Sequence, residues 1–134
     1  MTVIVTDTGF GPDTYKGNFI PLDSADDTTP ALDLFSDADP LTVPLNTATQ
    51  AIRIDFPSFA DGRGFTIARQ LRLRGFTGRL RARGHVLADQ YAMARRAGFD
   101  EVEISNDLAA RQPQADWIAR ADWQAHNYQA RLRG

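Results

Sequence analysis

The chain has 134 residues, 43% of them hydrophobic and 24% charged, and it contains no cysteine. That length suits one domain whose core needs no disulfide or metal staple. The missing thiols exclude a disulfide framework, a thiolate nucleophile and any iron–sulfur or cysteine-held zinc site built by this chain. The net charge of −2 conceals an asymmetry. Residues 1–50 carry eight aspartates against Lys16, whereas residues 51–134 carry nine acids against fourteen arginines. The basic part is too mild, and too interleaved with acids, for a nucleic-acid surface.

In chain order, residues 1–50 read as an irregular acidic segment. Thr2–Thr6 is a β-branched strand with no basic start, so it is not a signal peptide. No later stretch reaches the ~20 apolar residues of a membrane span, and the expected location is the cytoplasm. Gly9, Gly11, Pro12 and Gly17 mark turns, and Asn18–Leu22 is expected to pair back as a hairpin arm. Asp23–Pro40 reads as a loop rich in Asp, Thr and Pro, with one helical turn over Ala31–Phe35. Leu41–Leu45 is a short strand broken by Pro44.

Residues 51–106 read as a βαβαβ core, and residues 107–134 as a helical tail on the same single domain. Ala51–Phe56 is a strand, Arg63–Arg74 a helix ended by Gly75, and Gly78–Arg83 the next strand. Val86–Ala97 is a second helix stopped by Gly98, and Glu101–Ser105 the third strand. Asp107 is expected to cap a tail that Pro113 interrupts and that resumes over Trp117–Arg131. Two strand–helix–strand units in succession imply an α/β fold with parallel pairing and right-handed crossovers, both helices on one face.

All three core strands alternate strictly. Ile52, Ile54 and Phe56 oppose Arg53 and Asp55; Leu80 and Ala82 oppose Arg79, Arg81 and Arg83; Val102 and Ile104 oppose Glu101 and Glu103. Alternate residues point to opposite faces, so one sheet face is apolar and the other charged. Parallel sheets are normally apolar on both faces. Three covers suit the charged face: cross-strand pairs such as Arg81 with Asp55 or Glu103, the N-terminal strands or the tail, or a partner protein.

Ligands of open α/β sheets collect beyond the carboxyl ends of the strands. There the Asp61-Gly62-Arg63-Gly64 loop opens a helix, whose free N–H groups and an arginine fork suit an oxyanion. The candidate anion-binding residues are Gly62, Arg63, Gly64, Arg83 and His85, supported by Asp61, Asp89, Gln90 and Asn106. The competing reading has Asp61 capping the helix, the glycines shaping the turn, and Arg63 pairing with Asp61 or Asp89. His85 has the chemistry of a general acid or base, but a lone histidine at a helix start is more often a solvated or capping residue. No GxGxxG or GxxxxGK[ST] sequence is present, nor any Ser-His-Asp spacing or close carboxylate dyad. His85 and His126 lie far apart. No catalytic residue is therefore assigned, and neither cofactor nor metal is expected. Trp117, Ala121 and Tyr128 share a helical stripe that either docks on its own domain or meets a protein partner. Trp123 and the face arginines Arg53, Arg79 and Arg81 complete the candidate partner-binding set, aromatics and arginines being the usual anchors.

FPSFADGRGFTIARQLR followed by LRARGHVLADQYAMARRAGFDEVEI resembles a small bacterial family classed as a domain of unknown function. The resemblance covers roughly residues 51–131. Its motif falls on Phe56, Pro57, Phe59, Asp61, Gly62, Arg63, Gly64, Gly84, Val86, Leu87, Asp89, Gln90, Gly98, Phe99 and Asp100, and in the tail on Tyr128 and Gln129. His85 departs from the pattern, because relatives often carry an acid there. Genes of the family commonly sit beside those of assimilatory sulfite reductase and sirohaem synthesis, and some members bear an oxidoreductase label on that ground. The residues do not support that label, since this chain has no cysteine for a cluster and no flavin or nicotinamide fingerprint. The resemblance implies instead an accessory protein of sulfite reduction that binds the reductase or its electron donor. The alternative is a small oxyanion- or phosphate-binding enzyme or sensor. No nucleic acid or membrane is expected as a partner, and self-association is left open.

Overall fold

A computed structural model of the chain describes residues 2–124. Its strands are β1 (Thr2–Thr6), β2 (Gly9–Gly11), β3 (Ile20–Pro21), β4 (Ala31–Leu34), β5 (Ala51–Phe56), β6 (Arg79–Gly84) and β7 (Glu101–Ser105). They form one sheet in the order β2-β1-β7-β6-β5-β4-β3. Strands β3 to β7 pair in parallel, while β1 lies antiparallel to both β7 and β2. The helices are α1 (Arg63–Leu73), α2 (Tyr91–Ala97), α3 (Asn106–Arg111) and α4 (Gln114–Ile118). The fold is α/β.

Register sorts the side chains as the alternation requires. Ile52 pairs with Leu80, and Ile54 with Ala82, which pairs in turn with Val102. This apolar face is fully buried beneath Ile67, Ala68 and Leu71 of α1 and Tyr91 and Ala94 of α2. The tail docks on its own domain through Trp117, 1% exposed. Its ring meets Tyr91 edge-on at 6.0 Å, and its indole N–H donates to the Gln112 carbonyl at 2.8 Å. Tyr128 lies outside the described residues.

Several local expectations are corrected. Ala31–Phe35 is no helical turn: Ala31 to Leu34 pair one-to-one with Ala51 to Ile54, and Leu32 and Leu34 are buried. A free strand edge supplies more ladder bonds than one isolated turn, so pairing overrides local propensity. Asn18–Leu22 forms no hairpin arm, because Ile20 and Pro21 pair with β4 at the far edge of the sheet. Leu41–Leu45 is a turn rather than a strand. Its Thr42 N–H donates to Asp39 O, and Arg74 donates to Pro40 O and Val43 O at 2.6 and 2.8 Å. The second helix begins at Tyr91, after a 3-10 turn over Ala88–Gln90. Ser105, not Asp107, caps α3, its hydroxyl accepting the Leu108 N–H at 3.1 Å.

The cover of the charged face follows from the strand order. β2 and β3 lie at opposite edges, so residues 12–19 must cross the whole sheet. Six strand spacings make about 29 Å, and a chain of that length reaches only about 30 Å when extended. The crossing therefore runs nearly straight, over the face without helices. Asp13 accepts from Arg81 Nη1 and Nη2 at 3.0 and 2.7 Å. The Phe19 ring lies 4.7 Å from the Arg53 guanidinium and 5.1 Å from that of Arg81. Tyr15 lies 5.8 Å from Arg79. Cross-strand pairing operates as well: Arg81 bonds Glu101 and Glu103, and Arg53 bonds Asp33 and Glu103. Asp55 faces Arg83 at 3.5 Å rather than Arg81.

Candidate functional site

The loop between β5 and α1 stands at the carboxyl edge of the sheet, and its arginine is held from within the chain. Arg63 grips Asp61 with Nε at 3.0 Å and Nη2 at 2.8 Å, and Nη2 also donates to Ser36 Oγ at 2.9 Å. The Arg63 backbone N–H donates to Asp61 Oδ1 at 3.1 Å, so the same carboxylate takes the first N–H of α1, although the N-cap residue is Gly62 and offers no side chain. These bonds hold the Asp61 carboxyl well below the ordinary carboxylate range. An oxyanion here would have to displace a chelating carboxylate two residues away in sequence. Nothing in the sequence singled out Ser36, because the contact depends on where β4 ends.

The glycines of the motif differ in what the fold asks of them. A Cβ on Gly64 would meet the buried Phe56 ring at 2.5 Å, so this glycine lets α1 approach β5. Gly84 has φ +111, and a Cβ there would stand 2.7 Å from Phe56 O. Both are explained by packing. Gly62 is not, since a Cβ would meet only Phe65, at 3.9 Å, and its φ of −94° suits any residue.

Arg83 and His85 border a groove of about 260 Å³ at the ends of β5, β6 and β7, together with Asp55, Glu103 and Ser105. Arg83 faces two carboxylates there, Asp55 at 3.5 Å and Glu103 at 3.7 Å. That balance of charge is poor for an anion. His85 packs edge-on to Phe59 at 5.0 Å, with Nδ1 3.1 Å from Phe56 O. The Phe56 carbonyl accepts there, so Nδ1 carries the proton.

The remaining predicted residues are scattered. Asp89 is exposed and pairs with Arg120 at 2.7 Å, not with Arg63 or Arg81. Gln90 is structural: its Oε1 accepts the Leu87 N–H at 2.9 Å and its Nε2 donates to Phe59 O at 3.3 Å. Asn106 is exposed at the start of α3. Of the partner-binding candidates, Arg81 is wholly buried and Arg53 is held by Asp33 and Glu103. Arg79 lies 3.8 Å from Glu101. These three turn toward the chain's own crossing segment instead of standing free for another protein. Trp123 stacks under Arg95 at 4.8 Å and donates to Asp7 at 3.3 Å.

Two aspartates missed by sequence reading do much of this work. Asp13 is held below its usual pKa chiefly by the Arg81 hydrogen bonds. Burial raises the Asp7 carboxyl, but hydrogen bonds from Tyr91, Arg95 and Trp123 outweigh it and leave the group lowered. The available signal for Asp13 was its spacing with Tyr15, one polar and one aromatic residue on the same side of an extended segment.

Among the described residues no three His, Asp or Glu side chains converge as a metal site, and no helix is long and apolar enough to cross a membrane. No curated protein and no solved structure matches the chain. A family model matches residues 31–134, so the shared region begins at β4 rather than at β5. On that coverage the chain belongs to the family described as bacterial protein of unknown function, DUF934.

Proposed function

We propose that this protein is a non-redox accessory of assimilatory sulfite reduction that acts by binding the reductase or its electron donor. The pathway rests on the resemblance alone, the genes of that family being expected beside those of sulfite reductase. The mode of action is supported by one observation: the arginines best placed to hold a substrate are already engaged by the chain's own carboxylates. Arg63 is chelated by Asp61, and Arg83 faces Asp55 and Glu103. A chain so neutralised internally is suited to recognition by shape and surface more than to chemistry on an anion. Affinity capture of a tagged chain from sulfate-grown cells, with cross-linking, should recover reductase components. Deleting the gene should impair growth on sulfate and sulfite but not on sulfide or cysteine. Recovery of no component, or normal growth on sulfite, would overturn the proposal.

A second reading, an oxyanion-binding enzyme or sensor at the Asp61–Gly64 loop, is favoured by Gly62, whose glycine the fold does not require. Under that reading sulfite, sulfate or phosphate binds by calorimetry, and Arg63→Ala weakens binding by about tenfold or more, as loss of a charged hydrogen-bond donor would. Under the accessory reading neither protein gives heat with these anions.

A further inference from the structure

Leu22, Asp23, Phe35, Asp37 and Ala38 line a groove of about 340 Å³ at the edge where β4 ends. Its wall is largely apolar, yet Phe35 is 67% exposed. The loop that presents it is anchored. Ala38 N–H donates to Phe35 O, Ser36 is buried and held by Arg63, and Arg74 clamps Pro40 and Val43. An aromatic ring kept in water on a tethered loop gains nothing for the fold, since it forgoes burial.

The charge lining the groove has one sign. Between Lys16 and Arg53 the sequence holds six aspartates and no lysine or arginine. Asp33 is spent on Arg53, and Asp26 and Asp39 accept hydrogen bonds in local turns. Asp23 and Asp37, the two carboxylates lining the groove, make no hydrogen bond or ion pair among the described residues. Arg63 on the neighbouring face interacts electrostatically with Asp37, although Asp61 already holds its guanidinium, and Asp23 has no such cation beside it among the described residues.

We propose that this groove docks a basic segment of a partner protein. One aliphatic or aromatic side chain of that segment enters against Leu22 and Phe35, and flanking lysines or arginines meet Asp23 and Asp37. Charge complementarity selects this occupant: an acidic rim repels phosphate backbones and anionic lipid, and it favours cationic side chains beside an apolar anchor. The proposal deepens the accessory reading by naming the surface and the chemistry it recognises.

The test titrates isotope-labelled full-length chain with three short synthetic peptides, followed by amide chemical shifts. One carries a leucine–tryptophan anchor flanked by lysines, the second the same anchor flanked by glutamates, and the third the lysines without the anchor. The first should shift amides at 22–23 and 35–38, and the other two should not. Phe35→Ser combined with Asp37→Asn, both exposed, should keep the fold and weaken that binding about tenfold or more. Equal binding of the glutamate peptide, shifts mapping elsewhere, or an unaffected double variant would overturn the proposal. So would concentration-dependent self-association that the double variant abolishes, because a second copy would then be the occupant. The same variant separates this proposal from the accessory reading. Reductase captured equally by wild type and variant sinks the groove alone, whereas lysine-peptide binding at the groove without any captured reductase sinks the accessory reading alone.

Discussion

Replacing Arg81 with alanine is expected to cost the fold about 3 kcal/mol, at the low end of the range for breaking a buried ion pair. The side chain is buried among Glu101, Glu103 and Asp13, and the two glutamates are themselves only 5% and 6% exposed. Without Arg81 these carboxylates stay out of water with fewer cations. The loss is not larger because Arg53 remains 3.2 Å and Arg83 3.7 Å from Glu103, and Arg79 3.8 Å from Glu101. Asp13→Asn removes a half-exposed partner and should cost under about 1 kcal/mol. Urea unfolding measures both, read as a lower midpoint at constant slope. Acid supplies a second check. The Asp13 carboxyl is depressed in the folded chain, so its contribution is complete above about pH 4 and is lost as pH falls further. Arg81→Ala should flatten that acid limb. A loss below about 1 kcal/mol would show that the network behaves like a surface pair.

Gly64→Ala is expected to destabilise by about 1–3 kcal/mol, the cost of overpacking a filled core. The added methyl would press on Phe56, whose ring cannot yield because Phe65 and Phe99 hold it at 4.9 and 5.8 Å. Phe56→Ala alone should cost about 3–5 kcal/mol. Combined, the two should cost less than their sum, because alanine at 64 then fills part of the cavity and gains up to about 1 kcal/mol of helix propensity over glycine. This cycle decides what the glycine is for. Were Gly64 required for close approach of a bound anion, its stability penalty would be the same with or without the Phe56 ring.

The legible parts of the fold were those whose pattern is local and periodic. Thr2–Thr6, Ala51–Phe56 and Glu101–Ser105 fall where β-branched content and alternation place them, and the two-faced sheet follows from them. What could not be read is whatever depends on a partner distant in sequence. β4 carries four residues with no decisive period, and only the open edge of β5 makes it a strand. β3 has two residues and exists only beside β4. The N-terminal strands or the tail were one of three open covers for the charged face, whereas the irregular segment 12–19 is what crosses it, and nothing local in Asp13, Tyr15 or Phe19 names Arg81 and Arg53 as their counterparts. At the site, the Asp61–Arg63 pair was readable from spacing. The Ser36 contact and the exposure of Phe35 were not, because both depend on where β4 delivers the chain.

The charged sheet face also bears on how the chain comes to be folded during synthesis. β1 is made first, yet its partner β7 follows roughly a hundred residues later. Asp13 likewise meets Arg81 across a separation of 68 residues. Closing such long loops is slow, so the βαβαβ unit, built from nearer neighbours, is expected to assemble before residues 12–19 lie across it. Through that interval one broad face of the sheet is uncovered. An apolar face left open in this way would recruit other chains. A face written in Arg53, Arg81, Glu101 and Glu103 favours hydration, and the cost of desolvating its charges opposes such pairing until Asp13, Tyr15 and Phe19 arrive. The charges that cost most to bury in the finished molecule are thus the ones that keep the unfinished one soluble.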